Sequence, residues 1–227
     1  MNIALILAAG IGSRMGLDEP KQFALVKGKP LLYYSVHAFE TYSEVDSIVV
    51  VTNKEYISKV NEIIKEYNFK KIKAVVEGGE TRQDSVYNGL LEVKKFAIES
   101  DIVLIHDSAR PLVNHRIIFD NIKACQEFEA VDTVIQANDT IVKSSDGNGV
   151  DELPLRKELY QAQTPQTFKL GLILNAHEYA KEHQIPDVTD DVKLVISLGK
   201  QVHLVEGSKL NFKVTTIEDL KLLEALL

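Results

Sequence analysis

A chain of 227 residues, 45% hydrophobic and 26% charged, is long enough for one domain with a full core and too short for two of ordinary size. Its net charge of −7, from 26 Lys and Arg against 33 Asp and Glu, excludes a general nucleic-acid surface, which needs an excess of basic side chains to neutralise phosphates. The single cysteine, Cys125, excludes an internal disulfide or a cysteine-built metal site, reads as a small buried hydrophobe and fits a reducing compartment.

The opening MNIALILAAG has no basic n-region, and its apolar run falls well short of the roughly 20 residues of a spanning helix. The expectation is a cytoplasmic protein with no membrane partner. IALILAA (3–9) reads as a buried strand. Directly after it, LAAGIGSRMGLDEPKQF (7–23) places Gly10, Gly12 and Gly16 beside Arg14 and Lys21. Glycines let backbone N–H groups approach a ligand, and the open first turn of a helix adds partial positive charge, so such a loop suits phosphates. The spacing is not the G-x-G-x-x-G of dinucleotide folds, which removes the case for a dehydrogenase, and no Gly-Lys-Ser/Thr follows as a P-loop requires. Two fixed cations beside a loop of amides suit a triphosphate; the competing reading is surface charge flanking an ordinary turn.

Further along, SIVVVT (47–52), KAVVEG (73–78), DIVLIHD (101–107) and DTVIQA (132–137) are β-branched and nearly continuous, as strands buried on both faces should be. PLLYYSVHAFETY, KEYISKVNEIIKEY, RQDSVYNGLLEVKKF and HRIIFDNIKACQEF lie between them with apolar positions at helical spacing. Strand and helix in alternation predict an α/β fold, a mostly parallel sheet flanked by helices, with ligands beyond the carboxyl ends of the strands.

Two segments end strands in places where a ligand crevice belongs. GGETRQDSV (78–86) pairs glycines at the entry to a helix; Ser85 either contacts a base or ribose or only helps to set the helix start. HDSARP (106–111) follows DIVLI, where Asp107 is either a Mg²⁺ ligand or a turn cap and Arg110 is placed to meet an acceptor phosphate. His106 has no metal-ligand partner at useful spacing and reads as structural.

Residues 138–159 then break the pattern. They are polar and turn-rich around Asp146, Gly147, Asn148 and Gly149, and read as a solvated hairpin or as an arm that pairs with another subunit. TPQTF with Thr164 and VTDD with Thr189 offer loop hydroxyls for capping or for ligand contact. After the helical LGLILNAHEYAKEH and the segment VKLVISLG, HLVEG and FKVTT read as strands and IEDLKLLEALL as a closing helix. Lys213, set within the alternating NFKVTT, is out of place unless it points at the crevice. No repeat or linker divides the chain, so residues 1–227 are read as one domain.

LAAGIGSRMG, PKQF, GKP, GGETRQDSV, HDSARP, AQTPQTF, TDD, EGSKLNFKVTT and EDL, in this order, resemble the motifs of cytidylyltransferases that activate polyol phosphates, above all the 2-C-methyl-D-erythritol 4-phosphate cytidylyltransferases. The resemblance spans the chain. It implies a Rossmann-like nucleotidyltransferase fold, CTP as donor, Mg²⁺ as cofactor with Asp107 as its candidate ligand, and a homodimer in which residues 138–159 form the dimerisation arm. By the same resemblance Ala8, Ala9, Gly10, Gly12, Gly79 and Ser85 surround the nucleotide. Arg14, Lys21 and Lys213 neutralise its triphosphate, and Asp107, Arg110, Thr140, Arg156, Thr164 and Thr189 receive the acceptor. A sister group that activates D-ribitol 5-phosphate carries stretches similar to AVDTVIQANDTIV and LYQAQTPQTF, so ribitol phosphate is the alternative acceptor. A CTP-binding sensor without turnover is the alternative from another class. Val192 departs from both groups, which more usually carry a small residue after TDD.

Overall fold

The computed structural model of the chain describes residues 1–10, 19–185 and 190–227. Among them, seven strands form one sheet in the order β5-β4-β1-β6-β8-β7-β9. The strands are β1 (Asn2–Ala8), β4 (Ser47–Thr52), β5 (Ile72–Glu77), β6 (Ile102–Asp107), β7 (Ala130–Gln136), β8 (Tyr160–Lys169) and β9 (His203–Glu206). A separate two-stranded hairpin joins β2 (Leu25–Val26) to β3 (Lys29–Pro30). All neighbours in the large sheet pair in parallel except β8, which runs antiparallel to both β6 and β7. The chain leaves β1 toward β4 and β5 on one side and returns through β6 on the other. The carboxyl ends of β1 and β6 therefore frame the topological switch point, the usual ligand crevice of such sheets.

Alternation along each central strand splits the core into two layers. Ala4, Ile6, Ile48, Val50, Ile102 and Leu104 face one side and pack on α1 (Leu31–Glu40), α2 (Ile57–Glu66) and α4 (His115–Phe128). Ile3, Leu5, Val49, Val51, Val103 and Ile105 face the other and pack on α3 (Arg82–Val93), α5 (Leu170–Glu182) and α6 (Asp191–Ser197). A strand covered on both faces needs this unbroken apolar run, which is why the parallel strands were readable in the sequence. Helix α3 comes unusually close to the sheet: a Cβ on its Gly89 would lie 2.5 Å from Leu5 Cδ1 and 2.9 Å from Val51 Cγ2. Cys125 is fully buried in the first layer, and burial pushes its thiol up to about 12, in keeping with its reading as a small hydrophobe.

Two sequence expectations are corrected. FKVTT is not a strand: residues 212–215 join no sheet and are held by the Val214 N–H donating to Ala109 O at 2.8 Å and by burial of Val214 with Leu31 and Leu223 of α7 (Ile217–Leu226). Conversely, the sheet inserts ten-residue β8 where the sequence shows polar TPQTF flanked by no apolar run. Its inward Gln163, Thr164, Gln166 and Thr167 are buried and hydrogen-bonded rather than apolar. Residues 138–159 hold one isolated bridge, Lys143 to Glu152, and one 3-10 turn, Arg156–Glu158, and nearly all are exposed. No helix among the described residues is long and apolar enough to cross a membrane.

Candidate active site

A cleft of about 440 Å³ opens at the carboxyl ends of β1 and β6. Its lining brings together Ala9, Gly10, Lys21, Gly79, Ser85, Asp107 and Lys213, all candidates from the sequence, with Arg82, Thr81 and Gln22, which were not. Ala8 lies fully buried just beneath, and its carbonyl accepts from Gln22 Nε2 at 2.6 Å. That bond ties the 3-10 turn Lys21–Phe23 to the end of β1 and so fixes where Lys21 begins. Lys21 Nζ donates to Val214 O at 2.8 Å, which sets it beside Lys213 although 193 positions separate Lys21 from Val214 in the chain.

The loop before α3 explains its glycines. A Cβ on Gly79 would fall 2.2 Å from Asp84 Cβ, so only glycine allows the turn to fold onto the first turn of the helix. Thr81 caps that helix in a reciprocal capping box with Asp84. The Ser85 hydroxyl accepts from Gly79 N–H at 3.1 Å and donates to Thr81 O at 2.9 Å. Ser85 therefore shapes the loop while also facing the cleft.

Asp107 is the electrostatic hub. Lys213 Nζ lies 2.7 Å from its Oδ2 and Arg82 Nε lies 3.8 Å from its Oδ1. Burial opposes its charge, but Lys213 first, then Arg82 and Arg110, outweigh burial and hold the carboxyl well below the usual carboxylate range. Behind it, Thr164 Oγ1 accepts from the Asp107 N–H at 3.1 Å and lies 3.0 Å from His106 Nδ1. A hydroxyl that accepts one bond has its proton free for the other, so it donates to Nδ1, and His106 Nε2 in turn donates to Arg110 O at 3.1 Å. Burial lowers His106 to about 4, which keeps the ring neutral as this chain of bonds requires. His106 is structural, as expected. Thr164 is 5% exposed and faces Asp107 and His106 instead of either cavity.

A second cavity of about 440 Å³ is lined by Arg110, Asn138, Asp139, Gln161, Gln163 and Lys209, and also by Lys213. Lys213 thus stands where the two cavities meet. The Arg110 guanidinium is held by Asn211 O at 2.9 Å and Ala162 O at 3.3 Å, while its buried Nε has no partner among the described residues. Thr140 and Arg156 sit exposed on the arm and line neither cavity; Arg156 Nη1 donates to Asn138 O at 3.2 Å. Gly12, Arg14 and Thr189 lie outside the described residues.

Sequence reading missed Arg82 and Asp191. Arg82 Nη1 lies 2.6 Å from Asp191 Oδ2, and Asp191 Oδ1 lies 3.2 Å from His177 Nε2, both Asp191 and His177 being fully buried. The partners are 109 positions apart, so only the RQDSV and TDD motifs pointed to this contact, and only one at a time. Val192, the departure from pattern, packs half-buried against the second core layer, and its N–H donates to Asp190 Oδ1 at 3.0 Å.

Comparison with known proteins agrees with this geometry. The model of the family described as "IspD: 2-C-methyl-D-erythritol 4-phosphate cytidylyltransferase" matches residues 2–227. A 2-C-methyl-D-erythritol 4-phosphate cytidylyltransferase of Clostridium novyi (strain NT) is 46% identical over 228 residues, covering 100% of this chain and 96% of the relative. The crystal structure of 4-diphosphocytidyl-2C-methyl-D-erythritol synthase from Anaerococcus prevotii DSM 20548 superposes with a TM-score of 0.85 at 31% identity, covering 100% of this chain and 95% of that one. The 2-C-methyl-D-erythritol 4-phosphate cytidylyltransferase of Francisella tularensis gives 0.84 at 32% identity, covering 100% and 99%. These names carry the first of the two acceptors expected from the sequence. From its first strand to its last helix, the chain belongs to the IspD family of 2-C-methyl-D-erythritol 4-phosphate cytidylyltransferases.

Proposed function

We propose that the cleft binds CTP, that the cavity beside it binds 2-C-methyl-D-erythritol 4-phosphate, and that the chain joins them with release of pyrophosphate. The observation that carries this reading is Lys213, which lines both cavities at the end of β6 and is held there by Asp107. Ala8, Ala9, Gly10, Gly12, Gly79 and Ser85 surround the nucleotide in this reading, with Arg14, Lys21 and Lys213 at its phosphates. Arg110 lines the acceptor's cavity, and Asp107, which lines the cleft, bears on the acceptor through Lys213. Thr189 joins them, and Thr164 serves by holding Asp107 in place.

An oxygen of the acceptor phosphate attacks the α-phosphorus of CTP in line. The bond from that phosphorus to the bridging oxygen breaks, and pyrophosphate leaves with the electron pair. The acceptor is already anionic and needs no strong general base, so catalysis is positioning and charge stabilisation by Lys21, Arg14 and Lys213. Asp107 is a poor site for a protein-held metal: its oxygens face Lys213 and Arg82, and no group of three His, Cys, Asp or Glu among the described residues is arranged to hold an ion. Magnesium fits only as a companion of the triphosphate, with Asp107 as its single candidate protein ligand, and no step here runs through it.

Residues 138–159 serve in this reading as the arm of a homodimer, presenting Thr140 and Arg156 to the partner's acceptor cavity. Support comes from Ile141, Val142, Val150, Leu153 and Leu155, apolar side chains exposed together on one projecting segment.

The test is pyrophosphate release from CTP and Mg²⁺ with methylerythritol 4-phosphate and ribitol 5-phosphate in parallel. Strong preference for the first is expected. Preference for ribitol phosphate would overturn the acceptor, and CTP binding without release in either arm would leave a sensor.

A further inference from the structure

A chain of polar contacts runs from the second core layer up to the cleft: His177 to Asp191, Asp191 to Arg82, Arg82 to Asp107, Asp107 to Lys213. Its lower half lies outside both cavities, since Asp191 and His177 are 0% exposed and sit between α5 and α6. A buried carboxylate is costly unless paired and hydrogen-bonded. The Asp191 carboxylate meets this requirement with Arg82 on Oδ2 and His177 on Oδ1, while its backbone N–H separately donates to Gln166 Oε1 at 3.3 Å. Among the described residues Arg82 alone is paired with both the buried carboxylate and the one in the cleft, and it uses two different nitrogens. A planar guanidinium can brace two carboxylates in fixed directions, which an ammonium cannot.

We propose that Asp191 is a positioning residue for the transfer, acting through Arg82 on Asp107 and so on Lys213. Asp107 is shared by two cations, Arg82 and Lys213. When an anionic triphosphate draws Lys213 toward its oxygens, Asp107 keeps a cation only if Arg82 stays where Asp191 holds it. Without that hold, Arg82 is pulled onto the phosphates or wholly onto Asp107, and Lys213 loses its fixed starting point between the cavities.

The inference rests on the cytidylyltransferase reading, so the unaltered chain is assayed first for pyrophosphate release; no release there would overturn that reading and the proposal together. Asp191→Asn, Arg82→Lys and the double variant are then compared at saturating CTP and methylerythritol phosphate, with the folded fraction measured by thermal unfolding. Misplacement at this distance is expected to lower kcat by about ten- to a hundredfold per folded molecule, with smaller changes in KM. The double variant should be no worse than the poorer single one, because both remove the same brace. A kcat within twofold of the unaltered chain in Asp191→Asn, or losses that multiply in the double variant, would overturn the proposal. Should Asp191→Asn fail to fold, Arg82→Lys at the half-exposed end decides alone: a kcat within twofold overturns it, and a tenfold loss supports it.

Discussion

The carboxyl edge of the sheet and the arm are built on opposite terms. At the edge, polar groups from β1, β6, β8, α3, α6 and the segment after β9 are braced against one another, and Asp107 touches cations from two of these elements. The arm has one bridge, one exposed ion pair between Lys143 and Glu152 at 3.3 Å, and apolar side chains facing water. The edge is thus held by contacts between elements distant in the chain, whereas residues 138–159 are held mainly by short-range bonds such as Ser145 N–H to Asp151 Oδ2 at 2.6 Å and Asn148 N–H to Asp146 Oδ1 at 2.8 Å. An exposed pair such as Lys143 with Glu152 adds at most about 1 kcal/mol and cannot hold the arm by itself.

The largest effect should come from the edge. Lys213→Ala and Lys21→Ala are each expected to reduce kcat by about a hundredfold or more, the usual cost of losing a preorganised charge contact. Near-normal turnover in both would break the contrast at its rigid end. If residues 138–159 pair two subunits as proposed, Leu153→Asp should leave thermal stability of the single chain nearly unchanged but shift sedimentation from dimer to monomer. Activity should fall with it, because Thr140 and Arg156 would no longer reach a neighbour. A monomeric variant with full activity would show that the arm supplies nothing to catalysis.

A pH effect sharpens the same comparison inside the sheet. Burial pushes Asp132 up to about 7, with Asp190 adding to the shift and the bond from Gln166 opposing it. A folded value above the unfolded one favours the protonated, folded state at low pH, and this contribution is lost as pH rises toward and through 7. Thermal unfolding of Asp132→Asn should accordingly lack part of the decline shown by the unaltered chain between pH 4 and 8, a difference of at most about 4 kcal/mol. Parallel curves for the two proteins would remove this role from Asp132. The smallest effect is expected at Gly89→Ala, whose methyl would crowd Leu5 and Val51: a loss of about 1–3 kcal/mol in denaturant unfolding with kcat unchanged.

What could be read in advance follows the same division. SIVVVT and HRIIFDNIKACQEF match β4 and α4 because apolar period alone specifies a doubly covered strand or an amphipathic helix. β8 was hidden because its burial is satisfied by hydrogen bonds: Asn121 Oδ1 accepts from Thr167, and Gln166 bridges Asp132 and Asp190. A polar run with such partners looks like a loop until the partners are placed. FKVTT misled in the opposite direction, since Val214 alternates inward without any strand beside it. Asp107 and Lys213 were legible as charges at sheet ends, while Arg82 needed Asp191 from a distant helix before its place in the site had any meaning.

β8 is also a mechanical link. It starts at Tyr160, at the foot of the arm, and four residues later presents Thr164 to the Asp107 N–H, a span of about 13 Å of extended backbone. Over that stretch the strand pairs with β7 alone, through Tyr160, Gln161 and Ala162, and β6 joins it only from Gln166 to Lys169. In the dimer proposed above, the segment that would meet a neighbour and the residue that holds Lys213 are therefore joined by one short piece of chain.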